Sequence, residues 1–150
     1  MATARIEDET QRAVTLLGGS RVFRRRVNDA GDMQRELRLG FPYAAFESFA
    51  EALDIRSTEL ASVMGVAART LARRKTSRQL SPTESDRLYR IVLVTLAASE
   101  ALGSLEHAKS WLHRQNRALG GGSPISVLDT EIGERQVEDL LTRINHGIYS

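Results

Sequence analysis

Between Glu59 and Glu84 the chain carries Arg69, Arg73, Arg74, Lys75 and Arg78 and no acid. Five cations without a compensating carboxylate make a local anion-binding patch, although the net charge of the whole chain is only +2. The patch lies inside the pattern Leu60-Ala61-x3-Gly65-Val66-x3-Thr70-Leu71. That pattern reads as two short helices joined at a glycine turn. Val66 plugs the space between them, Leu71 anchors the second helix inward, and small Ala61 lets the two approach closely. Arg69 and Arg73 stand i, i+4 and share a face. Guanidinium is the side-chain group best matched to guanine edges and phosphates. The residues expected to meet DNA are Ala68, Arg69, Thr70, Arg73, Arg74, Lys75 and Arg78. The same pattern also suits an αα-hairpin with a solvated basic face.

Other chemistries find little support. Cysteine is absent, which removes thiolate nucleophiles and Cys-based metal sites and fits a cytoplasmic protein. His107 and His113 are six residues apart on one expected helix, so they do not share a face, and no carboxylate stands at ligand spacing with them. His146 near Asp139 is accounted for as a helix-end histidine in the field of the C-terminal dipole. No nucleophile elbow is present. The run Gly120-Gly121-Gly122 has neither a preceding strand nor a following Lys-Ser/Thr, so it is no phosphate loop. No catalytic residue, metal or cofactor is expected. No stretch of about 18 apolar residues exists, so no membrane span is expected, and the charged N-terminus does not read as a signal peptide.

The elements that position the patch are helical throughout, and the fold class read from the chain is all-α. Arg5 to Leu17 is amphipathic and stops at Gly18-Gly19. Ser20 to Leu39 reads as two short helices. Ala45, Phe46, Phe49, Ala50 and Leu53 form one face of a helix starting at Tyr43. Ser57 is expected to cap the next helix. Ser81-Pro82-Thr83-Glu84 combines a cap, a first-turn proline and a closing carboxylate, and opens a long helix ending at Gly103. Ser104 caps a following helix in which Trp111 is expected to fill the core. Asn116 to Leu119 reads as a single turn and Pro124 as the start of another. Gly133 to Ile144 forms the last helix, with Val137, Leu140, Leu141 and Ile144 inward. The charge divides along the chain: residues 1–53 balance eight cations against eight acids, 54–99 hold eight against four, and 100–150 hold five against seven. The break at Gly40-Phe41-Pro42 and the start signal at Ser81 divide the chain into an N-terminal helical segment at 1–42, a helix-turn-helix module at 43–80 and a C-terminal module at 81–150.

Three stretches carry a resemblance. They are ELASVMGVAARTLARR, LSPTESDRLYRI and WLHRQNRALGGGSPISVLDTEIGERQVEDLLTRINHGIYS. Together they resemble the Xre/MbcA/ParS antitoxins over roughly residues 43–150. The most diagnostic parts are the Asn-x-Ala-Leu-Gly-Gly…Pro run, the Leu-Asp-Thr before Gly133 and the Gly-x-Tyr ending. Gln115 departs from the family, in which proline is common before that asparagine. The resemblance implies an Xre-type helix-turn-helix that binds operator DNA and represses the protein's own operon. It also implies a C-terminal domain that neutralises a RES-domain toxin consuming NAD. Relatives block the toxin's site with their C-terminal region, which makes Asn145, His146, Gly147, Ile148, Tyr149 and Ser150 the expected toxin-binding residues. A homodimer is expected because operators are commonly two-fold. The alternative is a free-standing regulator whose C-terminal domain only dimerises.

Overall fold

The computed structural model describes residues 2–147. In chain order the helices are α1 (Ala2–Leu16), α2 (Ala30–Leu39), α3 (Tyr43–Leu53), α4 (Ser57–Val63), α5 (Ala68–Ser77), α6 (Pro82–Leu102), α7 (Leu105–His113) and α8 (Glu131–Asn145). Short 3-10 turns occupy Gly19–Arg21, Arg117–Leu119 and Ile125–Asp129. Among the described residues there is no strand, only an isolated antiparallel bridge between Pro42 and Gln79. The chain is all-α, as its helix-forming composition and 3.6-residue periodicity require.

The centre is α6. Its start obeys local rules: the Ser81 hydroxyl accepts from the Glu84 amide at 3.1 Å, and the Glu84 carboxylate accepts from the Ser81 amide at 3.1 Å. This reciprocal capping box satisfies two amides that the helix itself cannot reach. Pro82 occupies the first turn, where a missing N–H costs nothing. Leu88, Ile91, Val92, Thr95 and Leu96 are buried along its length. The Thr95 hydroxyl donates to the Ile91 carbonyl, so its polar atom enters the core satisfied. Helices α1, α2, α7 and α8 all pack on α6. At Gly103 the chain turns by 112° into α7, and the Ser104 hydroxyl caps α7 by accepting from the His107 amide.

The N-terminal half is held by aromatic packing. Phe41, Phe46 and Phe49 are fully buried. The rings of Phe23 and Phe41 meet edge to face at 5.5 Å, and Phe41 meets Tyr89 of α6 at 6.4 Å in the same manner. Burial raises the Tyr89 phenol above its ordinary value, and the nearby Glu9 charge adds to the shift.

Several local expectations are corrected. Ser20 to Leu39 is one 3-10 turn, an irregular loop and a single helix. Asp29, rather than a second short helix, starts that segment by capping α2 on the Asp32 amide. Ser57 is the first residue of α4 and not its cap: Arg56 holds the extended cap conformation and its side chain makes no capping bond. Leu71 is only half-buried, and no residue of α5 is fully buried. Trp111 is likewise half-buried at the edge of the core rather than inside it. The last helix starts two residues before Gly133, capped by Thr130, whose hydroxyl accepts from the Gly133 amide at 3.0 Å. A Cβ at Gly133 would collide with the carbonyl oxygen of Val127, so the 3-10 turn and α8 touch backbone to backbone there.

Candidate functional site

Helices α4 and α5 meet at Gly65, whose φ of +72° is one that side-chain-bearing residues adopt at a cost. The Val66 amide reaches back to the Ala61 carbonyl at 2.8 Å, which closes the turn. From α6, Arg87 donates to the Met64 carbonyl at 2.9 Å and fixes the turn from behind. The other end of the motif is tied down too. The Tyr43 amide donates to the Arg78 carbonyl at 3.0 Å, and the Leu80 amide donates to the Phe41 carbonyl at 2.8 Å. Helix α5 is thereby clamped at both ends while its outer face stays open. Ala68, Arg69, Arg73, Lys75 and Arg78 are exposed, and Thr70 is half-buried. Arg78 sits beyond the helix in a left-handed conformation, φ +63°.

Arg74 departs from the expectation that it faces outward. Its Nε donates to both carboxylate oxygens of Glu84, at 2.7 and 2.9 Å. Glu84 is 8% exposed and Arg74 29%. The carboxylate that closes the α6 capping box is therefore the one that holds α5. Arg74 is committed to an internal ion pair, because a buried carboxylate left without its cation is costly.

In the C-terminal half the diagnostic asparagine is structural. The Asn116 side chain accepts from the Ala118 amide at 3.0 Å. Its backbone amide donates to the Gly122 carbonyl and its carbonyl accepts from Gly121, which closes the glycine loop. Asn145, His146 and Gly147 are exposed at the end of α8, where the His146 and Gly147 amides donate to the Thr142 and Ile144 carbonyls. Ile148, Tyr149 and Ser150 lie outside the described residues. The ring nitrogens of His107 and His113 pair with the Leu102 and Leu53 carbonyls, at 3.2 and 3.0 Å. Among the described residues no three His, Asp or Glu side chains gather as a metal site. No single described helix is long and apolar enough to cross a membrane.

One exposed residue escaped the sequence reading. Ile132, in the first turn of α8, is 74% exposed. It stands roughly 140° around the helix from Val137, off the inward stripe, a position that the periodicity shows once the helix is begun at Glu131. Beside it a cleft of about 390 Å³ lies between Gly65, Arg87 and Arg90 on one side and Asp129, Glu131 and Glu134 on the other. Desolvation there, reinforced by Glu138, Glu131 and Asp86 and opposed by Arg90, raises the Glu134 carboxyl above the ordinary carboxylate range.

Comparison with known proteins places both halves. Residues 32–93 match the family model for the antitoxin Xre-like helix-turn-helix domain. Residues 97–147 match that for the antitoxin Xre/MbcA/ParS C-terminal toxin-binding domain. An "Antitoxin Xre" from Yersinia enterocolitica is 34% identical over 116 residues, 76% of this chain and 78% of that protein. The chain belongs to the Xre/MbcA/ParS family of antitoxins. Two further proteins named "Antitoxin Xre" support the assignment. The Pseudomonas putida protein is 36% identical over 53% of this chain and 50% of its own length. The Photorhabdus laumondii protein is 35% identical over 61% and 64%. The two Xre family matches meet inside α6, so this helix is common to both halves of the antitoxin.

Proposed function

We propose that this chain is the antitoxin of a type II toxin-antitoxin pair, that it neutralises a RES-domain toxin that consumes NAD, and that it binds operator DNA to repress its own operon. The observation that carries the DNA half is α5 itself. It is a helix clamped at both ends by α3 and α6, with no fully buried residue and with Arg69, Arg73 and Lys75 exposed. A helix that contributes so little to the core is held in place for its outer face. In this reading Arg69 and Arg73 reach base edges in the major groove while Lys75 and Arg78 contact phosphates. A homodimer would present two such helices to half-sites roughly 34 Å apart. The chain acts in the cytoplasm, without catalysis and without a cofactor.

The toxin half rests on the C-terminal match, with Ile132 as an apolar contact and Asn145, His146 and Gly147 leading into the terminal segment. Ile148, Tyr149 and Ser150 then enter the toxin cleft that accepts NAD. An aromatic ring with a hydroxyl at its far end suits a cleft built for a dinucleotide.

The test is co-expression with the neighbouring gene, the expected source of the toxin. A co-purifying complex that no longer consumes NAD is the expected result. Failure of the two chains to associate, with DNA binding intact, leaves a free-standing regulator. The DNA half is tested by replacing Arg69 and Arg73 together with alanine. Operator affinity should fall on the order of 100-fold, since each well-formed arginine–guanine contact contributes roughly 1–3 kcal/mol of discrimination. Toxin neutralisation should persist.

A further inference from the structure

The N-terminal segment carries a second basic stretch. No acid lies between Glu9 and Asp29, while Arg12, Arg21, Arg24, Arg25 and Arg26 do, the same five positive charges as between Glu59 and Glu84. The first 3-10 turn and the loop from it to α2 display four of them. Phe23 and Val27 are buried, at 5% and 4% exposure. The three arginines between these anchors are all exposed, as is Arg21. The loop backbone is pinned on both sides of the arginines. The Phe23 amide donates to the Gly19 carbonyl, and the Gln11 side chain donates to the Val27 carbonyl at 2.8 Å and the Asn28 carbonyl at 3.3 Å. The nearby acids are engaged elsewhere: Asp29 caps α2, and Asp32 accepts from the Asn28 amide and pairs with Arg35. Among the described residues none of the four loop arginines makes an ion pair.

The loop is linked through Phe41 to the segment that follows α5. Phe23 packs on Phe41, and the Phe41 carbonyl accepts from the Leu80 amide. The next residue, Pro42, bridges to Gln79, and Tyr43 bonds to Arg78. The loop is thus joined, through one aromatic contact and the two backbone hydrogen bonds that make the Pro42–Gln79 bridge, to the Arg78–Leu80 segment that follows α5.

We infer that the Arg21–Arg26 loop is a second phosphate-binding element that grips the DNA backbone beside the groove entered by α5. This rests on the reading of α5 as the DNA-contacting helix. Unpaired guanidinium groups on a fixed loop that is not a groove-entering helix suit phosphate oxygens, which carry no sequence information.

The test uses full-length protein, a duplex from upstream of its own gene and an unrelated duplex, with binding followed by fluorescence anisotropy over a salt series. Replacing Arg24, Arg25 and Arg26 together with alanine should weaken binding to both duplexes by the same factor, on the order of 10- to 100-fold at low salt. The log–log salt slope should flatten by about 0.9 for each phosphate contact removed. The ratio between the two duplexes should stay constant, and the triple lysine variant should restore the slope. Arg69→Ala with Arg73→Ala should instead lower that ratio. An alanine triple variant with wild-type slope and affinity overturns the loop assignment and leaves α5 standing. If the triple variant loses affinity for the toxin but not for DNA, the loop is a protein contact and the inference fails. Wild-type protein that retains neither duplex overturns both readings.

Discussion

Arg74→Ala should destabilise the protein rather than act as a DNA-contact mutation. In the folded state the Glu84 side chain is 8% exposed, Arg74 donates to both of its oxygens and the Ser81 amide to one. Removing the guanidinium leaves that carboxylate with the Ser81 amide alone. Hydrogen bonds to charged groups contribute about 1.5–3 kcal/mol each, and the two made by one Nε behave as a single interaction. The loss should therefore be about 1.5–3 kcal/mol, or roughly 3–12 °C in Tm for a chain of this size. Part of it should return in Arg74→Ala with Glu84→Gln, since a neutral amide tolerates burial better than an orphaned charge. The assay is thermal unfolding of Arg74→Ala beside Arg73→Ala, with hydrogen exchange to locate the loosened amides in α5 and the first turn of α6. Arg73→Ala, on the exposed face, should melt with the wild type. If Arg74→Ala also melts with the wild type and its only defect is in DNA binding, the ion pair is not what holds α5 and the reasoning fails.

Three further outcomes are expected. Gly133→Ala drives a Cβ into the Val127 carbonyl and should cost at least about 1–3 kcal/mol, read as a lower Tm and weaker toxin binding with DNA affinity preserved. Glu134→Gln should raise Tm at neutral pH. The folded-state carboxyl binds its proton more tightly than in the unfolded chain, so its favourable contribution is present below the ordinary carboxylate pKa and lost as pH rises through the raised folded value. The gap between variant and wild type should therefore close on acidification, and a gap that widens would contradict the sign. Deleting Ile148, Tyr149 and Ser150 should restore NAD consumption in the toxin complex without changing Tm or DNA affinity. A truncated chain that melts earlier yet still inhibits fully would show that the segment serves its own domain.

Much of the architecture was legible because it rests on local chemistry. The Ser81–Glu84 box, the Ser104 cap and the Gly65 turn each depend on residues within one turn of each other, and each was recovered. The Val137, Leu140 and Leu141 stripe was recovered by its period. What escaped depends on distance. Arg74 reads like its neighbours Arg73 and Lys75 until α6 delivers Glu84 to it, ten residues away. The partial exposure of Leu71 and Trp111 is set by where other helices stop, which no local pattern records. The Arg24–Arg26 loop was hidden by arithmetic: eight acids elsewhere in the first 53 residues cancel its charge, whereas a running window exposes it. Ile132 was excluded by starting α8 two residues late.

Helix α6 makes the two activities hard to inherit separately. Its first two turns are bolted to α5 by Glu84 and to the α4–α5 turn by Arg87, and α7 and α8 pack on the same rod. A recombination joint that grafts one antitoxin's operator preference onto another's toxin preference must cut inside this helix, where one turn's shift in register would rotate or displace one set of contacts. Exchange is tolerated only between partners whose α6 has the same length and phase. Operator and toxin specificities should therefore travel through a lineage as a linked pair, and a chimera built at the Leu80–Ser81 junction should fold worse than one spliced within a matched stretch of α6.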